Sequence, residues 1–178
     1  MTLDNFVFNK EIIIDDSGWG DLVLGVVIGA LELTNRKYLA RRIPVAYFQT
    51  PLFEKKKYLE YSVKIAKEII DVMKPDKNTV FKVCSGYVLS SIRDYLQNQG
   101  FTVKKVEVTG DLQDFVERSF ASWCKEEGVI VDLRSGSQRF WALLDWVSKK
   151  PELRELIVKT GWKSWKQKWR KKVFQTDS

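Results

Sequence analysis

Residues 11–33 constrain the fold of this chain more than any other stretch. The β-branched run Ile12, Ile13, Ile14 ends in two adjacent carboxylates, Asp15 and Asp16, and a turn rich in small residues (Ser17, Gly18, Gly20) leads into a second apolar run from Leu22 to Leu33. Two such runs joined by a tight reversal read as a buried strand and its antiparallel partner. Side chains alternate faces along a strand, so Asp15 and Asp16 point into different layers. One of them then sits at a sheet end beside an open turn, where a carboxylate suits a divalent ion that prefers hard oxygen ligands. The plainer alternative is an Asp that hydrogen-bonds the turn backbone.

The chemistry open to the chain is narrowed by what it lacks. It contains no histidine, which removes Ser-His-Asp and Cys-His catalysis and the common His-containing zinc sites. Proton transfer would fall to carboxylates, Lys, Tyr or a metal. Cys84 and Cys124 lie far apart in unrelated contexts and form neither a metal-ligand pair nor a disulfide framework. No apolar stretch reads as a membrane span and no secretory signal is expected, so the expected setting is intracellular, reducing and cytoplasmic. With 178 residues, 44% of them hydrophobic and 30% charged, one compact domain with a sizeable core is expected.

Along the chain, Asn35 to Arg42 reads as a basic turn, and Ile43 to Phe48 as a third strand with Pro44 near its start. Glu54 to Met73 has helical spacing and is ended by Pro75. A fourth strand over Thr79 to Cys84, a Ser85-Gly86 turn and a helix from Tyr87 to Gln99 follow. A fifth strand is expected over Phe101 to Val108. A third helix runs from about Asp111 to Glu127, and a possible sixth strand spans Val129 to Leu133. Helices are expected over Phe140 to Ser148, Pro151 to Lys159 and Trp162 to Val173. The expected fold class is α/β: a mixed sheet of about five to six strands, the first three antiparallel and the later ones parallel, with helices on its faces and a C-terminal helical extension. The expected division is a single α/β domain over 1–158 and a basic, Trp-rich helix and tail over 159–178.

This element order resembles the ribonuclease H-like superfamily. The Ile-Asp-Asp-Ser-Gly opening and the strand-Ser-Gly-helix unit at 79–92 look distantly like endonuclease V and archaeal endonuclease dU-type proteins. The resemblance covers about residues 11–127. It implies a first-strand Asp that binds metal, with Asp15 or Asp16 in that position, and Mg2+ or Mn2+ as cofactor. It implies a second acid at the end of the fourth strand, where this chain has Cys84 and Ser85, neither a carboxylate. The third acid would come from the helix after strand five, where Asp111, Asp114 and Glu117 recur at i, i+3 and i+6. Asp111 and Asp114 are the candidates there, and Asp132 is a further candidate metal ligand. Two-metal phosphodiester cleavage needs such acids to converge on ions about 3.5–4 Å apart. The alternative for Asp111 and Asp114 is ordinary capping, since acids are favoured in a helix's first turn.

The formal charge of +7 is concentrated in one place. Residues 159–176 hold Lys159, Lys163, Lys166, Lys168, Arg170, Lys171 and Lys172 and no acid, which leaves the rest of the chain at a formal sum of zero. Trp162, Trp165 and Trp169 recur at i, i+3 and i+7 and so line one helical face. Lys163, Lys166, Lys168, Arg170, Lys171 and Lys172 can engage phosphates while indoles stack on bases. An anionic membrane surface is the lesser alternative, and docking of the indoles on the chain's own core is the plain one. The functional expectation is a nucleic-acid-associated protein with a ribonuclease H-like core, with metal-dependent nuclease as the enzyme class open to it. The alternative is a non-catalytic interaction module that binds a protein partner.

Overall fold

The computed structural model of the chain describes residues 9–131 and 136–175. Its centre is a five-stranded sheet of order β3-β2-β1-β4-β5, built from β1 (Glu11–Ser17), β2 (Val26–Glu32), β3 (Lys37–Ile43), β4 (Val80–Cys84) and β5 (Thr102–Val106). β1 pairs antiparallel with β2 and parallel with β4; β2–β3 is antiparallel and β4–β5 parallel. This mixed sheet with helices on both faces is the α/β arrangement expected from the element order. β1 is central and flanked on both sides, which explains its unbroken β-branched run.

The two faces have different covers. Ile12, Ile14, Ile28, Ala30, Phe81 and Val83 join one core with α1 (Lys57–Met73) and α2 (Ser90–Asn98). On the other face α3 (Asp111–Glu126) lies across β1 and β2, with Leu112 and Val116 packed on Leu31. That approach is close because position 29 lacks a side chain: a Cβ there would stand 2.3 Å from Val116 Cγ1. Beyond α3 a third layer holds α4 (Gly136–Ser148), the short α5 (Pro151–Arg154) and α6 (Arg170–Phe174). Leu22, Val23, Val27, Phe120, Trp123, Leu143, Trp146, Trp165 and Trp169 form its core. Among the described residues no helix is long and apolar enough to cross a membrane.

Several expected elements change. The third strand is Lys37–Ile43, where a basic turn was expected, and Val45–Phe48 is a 3-10 turn after Pro44. Charge hid the strand because it is a sheet edge, where charged side chains are common. Its cations meet helices on opposite faces: Arg41 pairs with Glu68 of α1 at 2.6 Å and Arg42 with Glu126 of α3 at 2.7 Å. The sixth strand does not form over 129–131. The Val129 N–H instead donates to the Cys124 carbonyl at 2.9 Å and closes the end of α3, and the rest of that segment, Asp132 included, lies outside the described residues. The helix starting at Pro151 stops well short of Lys159. A 3-10 turn follows it over Glu155–Ile157, and Val158 then forms an antiparallel bridge with Val23. The C-terminal helix contains a π segment, Trp165–Trp169, before α6.

The close contact of β2 with α3 generates a stability prediction. Gly29→Ala inserts a methyl group into Val116 and should destabilise by about 1–3 kcal/mol. Gly20→Ala, where an added Cβ has no neighbour within 4 Å, should change stability by less than about 0.5 kcal/mol. Urea denaturation of both variants checks the pair, and equal midpoints would contradict the packing.

Candidate functional site

The end of β1 gathers an unusual density of buried charge. Asp15 lies opposite Gly29 of β2 and Asp16 opposite Ile28, so alternation turns Asp15 toward α3 and Asp16 toward the α1–α2 side. Asp16 Oδ1 reaches the β4–α2 turn, 2.7 Å from where a Cβ on Gly86 would stand. Asp15 accepts a hydrogen bond from the Cys84 thiol at the end of β4. Gly18, with φ +95, lets the chain turn back beneath the Phe120 ring, where a side chain would collide at 2.5 Å. The turn then delivers Asp21 into the interior at 2% exposure.

Two cations lie among these acids, Arg139 largely buried and Lys159 wholly so. Arg139 of α4 donates through Nε to Asp21 Oδ1 at 2.7 Å and through a terminal nitrogen to Glu117 Oε2 of α3 at 2.6 Å. Its guanidinium also lies 5.5 Å from the centre of the Phe120 ring. Lys159 has no exposure to water at all. Its Nζ donates to the Gly18 carbonyl and, at 3.4 Å, to that of Trp19. The Phe48 and Trp162 rings flank it at 5.1 and 5.3 Å. Asp21 and Asp16 are its electrostatic partners.

Burial dominates the protonation of Asp15, Asp16, Asp21 and Lys159. It pushes Asp16 up to about 7, helped by repulsion from Asp15 and opposed by Lys159. It raises Asp15 against the stabilising Cys84 hydrogen bond, and Asp21 against Arg139. It lowers Lys159 to about 7 against the attraction of Asp21 and Asp16. Cys84 is likewise raised by burial, so it stays a thiol near neutral pH.

The structure sorts the sequence candidates. Asp15 and Asp16 enter the centre. Asp111 lies elsewhere, paired with Arg36 at 2.5 Å and well exposed; Asp114 is also exposed. The α3 acid that does act electrostatically on both Asp15 and Asp16 is Glu117. Asp132 lies outside the described residues. Asp21, Arg139 and Lys159 were not singled out by sequence. The signal for Lys159 was its place inside Leu156-Ile157-Val158-Lys159-Thr160-Gly161, an apolar setting unlike that of the other C-terminal lysines.

The metal implied by the sequence resemblance does not suit these residues. Two-ion chemistry requires carboxylates that converge with oxygens free for the metal. Here Asp15 and Asp16 diverge to opposite faces, the β4 position is a neutral thiol, and Glu117 and Asp21 share one guanidinium. Among the described residues no three acid or thiol side chains come together as a ligand set.

Of the C-terminal cations, Lys166 pairs with Glu54 at 2.8 Å and Arg170 with Glu155 at 2.7 Å. Lys163, Lys168, Lys171 and Lys172 are exposed and have no acidic partner among the described residues. The indoles between them divide: Trp165 (1% exposed) and Trp169 (8%) are buried in the third-layer core, and Trp162 is half-buried.

No family model and no curated protein matches the chain. Among solved structures it is similar to the catalytic core domain of BIV integrase, with 14% identity, a TM-score of 0.38, and coverage of 79% of this chain and 84% of that one. That is a distant likeness, and no residue role follows from it.

Asp16 and Lys159 together generate a pH prediction. Asp16 holds its proton more tightly in the folded state (about 7 against an ordinary 3.8). Its stabilising contribution is therefore complete below about pH 4 and is lost as pH rises through about 7. Lys159 has the opposite sense, since the unfolded chain holds that proton more tightly, and stability recovers between about 7 and 10.5. The stability of wild type relative to Asp16→Asn should fall steadily from pH 4 to 7 and then level off. Denaturation midpoints across that range measure it, and a constant difference would rule out titration of Asp16 in this window.

Proposed function

We propose that this chain is a nucleic-acid-binding module on a ribonuclease H-like core, and that it binds without metal-dependent cleavage. The observation that carries the reading is the separation of charge. Asp16 at the end of β1 and Asp21 in the turn after it have counter-charges inside the protein, in Lys159 and Arg139, whereas Lys163, Lys168, Lys171 and Lys172 face water. Exposed cations without acidic partners attract a polyphosphate backbone by releasing its counterions, and this attraction needs no sequence recognition. The resemblance to endonuclease V-type proteins would require a catalytic acid where Cys84 stands, so nuclease activity is not part of the reading.

Fluorescence anisotropy with labelled oligonucleotides tests the proposal. Affinity should fall steeply with salt, with a log–log slope of about −0.9 per phosphate contacted in duplex DNA. Changing Lys163, Lys168, Lys171 and Lys172 together to Gln should flatten that slope, and should shift stability by less than about 0.5 kcal/mol per site. Oligonucleotides incubated with Mg2+ or Mn2+ should remain intact. Absence of salt-sensitive binding would overturn the proposal, as would metal-stimulated cleavage that Asp15→Asn abolishes.

A further inference from the structure

The most exposed indole among the described residues is not in the C-terminal segment. Trp141, on α4, is 53% exposed. Its ring stands edge-on to Trp169 (centroids 5.2 Å apart, planes at 87°) and to Phe140 (5.6 Å, 85°), while Phe140 and Trp169 meet at 5.5 Å. Three mutually tilted rings fix the orientation of the exposed one, so little rotamer freedom remains to be lost when a partner stacks on it. Cations border the cluster. Lys172 lies 5.9 Å from the Trp141 ring centre and 5.8 Å from that of Trp169, and Lys168 lies 4.3 Å from Trp169. Beside Trp141 a groove of about 250 Å³ opens between α4 and α6, with Leu144 and Val173 as apolar walls and Asp145, Ser148 and Lys172 as polar ones.

We infer that the Trp141 ring is a stacking platform for a base of single-stranded nucleic acid, with Lys172 and Lys168 holding the flanking phosphates. The inference rests on the nucleic-acid reading above and adds the strand preference and the residue that produces it. Stacking needs a base whose face is free, which a duplex denies and a single strand offers. A fixed aromatic ring with cations on its border matches that ligand in both parts, flat base and charged backbone. The groove supplies polar edges: the Asp145 carboxylate can accept from an exocyclic amine and the Ser148 hydroxyl can accept or donate. A membrane surface fits less well, because insertion favours a continuous apolar face, whereas this ring is hemmed by lysines and Asp145.

The test compares a single-stranded oligonucleotide, the corresponding duplex and vesicles containing an anionic lipid. Wild type, Trp141→Leu and Trp141→Phe are used as full chains. Leu keeps apolar contact with Phe140 and Trp169 but cannot stack, and Phe restores a ring. Wild type should prefer the single strand, with quenching of its tryptophan fluorescence on binding. Trp141→Leu should weaken single-strand binding about tenfold and leave duplex affinity unchanged, and Trp141→Phe should recover much of the loss. If oligonucleotides bind but Trp141→Leu weakens single strand and duplex equally, or neither, the platform is wrong while the nucleic-acid reading stands. If wild type binds neither nucleic acid, both fail, and binding to the vesicles alone would identify a lipid surface instead.

Discussion

A lysine ammonium without exposure to water persists in a protein only where its lost hydration is replaced, because desolvating an ion costs several kcal/mol even after the surroundings relax. For Lys159 the replacement comes from two carbonyls of the β1–β2 turn, two aromatic rings and the field of Asp21 and Asp16. These requirements govern the backbone around it. The Leu24 N–H donates to the Ile157 carbonyl at 2.7 Å, the Lys159 N–H to that of Leu22 at 2.9 Å, and the Gly161 N–H to that of Phe48 at 3.0 Å. Gln49 adds side-chain hydrogen bonds to the carbonyls of Leu156 and Val158 at 3.0 and 2.9 Å. Residues 157–161 are thereby stitched to the loop that follows β1 and to the turn that follows β3. The boundary expected at residue 158 lies inside this seam.

Arg139 works on the same turn from the other side. By holding Asp21 and Glu117 at once, it links the β1–β2 turn, α3 and α4 through one planar, multidentate donor. Lysine could not reproduce that fork. Removing the guanidinium would leave the buried Asp21 carboxylate without its ion-pair partner, a costlier state than the loss of a surface pair. The buried Ser17 hydroxyl and one Asp21 oxygen have no hydrogen-bond partner among the described residues. Ser17 ends β1 and Asp21 lies in this turn, so the polar demand of the centre exceeds what its immediate neighbours supply.

The sheet was legible in the sequence because its central strands obey simple rules: β1 and β2 are apolar and bounded by turn residues, and the later strands alternate with amphipathic helices. β3 was missed because an edge strand tolerates cations that mimic a polar turn, and its partners Glu68 and Glu126 are distant in sequence. At the centre, Asp15 and Asp16 stood out through their position at a strand end. Asp111 and Asp114 drew attention by spacing, yet Glu117, one turn further along α3, is the acid that faces β1. Helical phase alone could not decide among three acids at i, i+3 and i+6, because the choice depends on the angle at which α3 crosses the sheet. Lys159 was hidden by composition: among seven neighbouring cations, nothing but its apolar flanks marks it as interior.

The C-terminal segment shows why docking and surface recognition are not competing uses of one amphipathic stretch. Trp165 and Trp169 are buried, and Trp165 also donates through Nε1 to Glu155 at 3.1 Å. Turning these indoles inward is what turns Lys168, Lys171 and Lys172 outward. Trp169 belongs to both environments, since it is packed in the third-layer core and also forms one wall of the aromatic cluster around Trp141. The exposed cluster draws Phe140 and Trp141 from α4, and Trp169, Lys168 and Lys172 from the segment after Gly161. Neither element holds the arrangement alone. It exists only when the C-terminal segment is seated, and that seat is reached through residues 157–161, where Lys159 is buried. The outward basic surface and the inward charge centre therefore depend on the same seam.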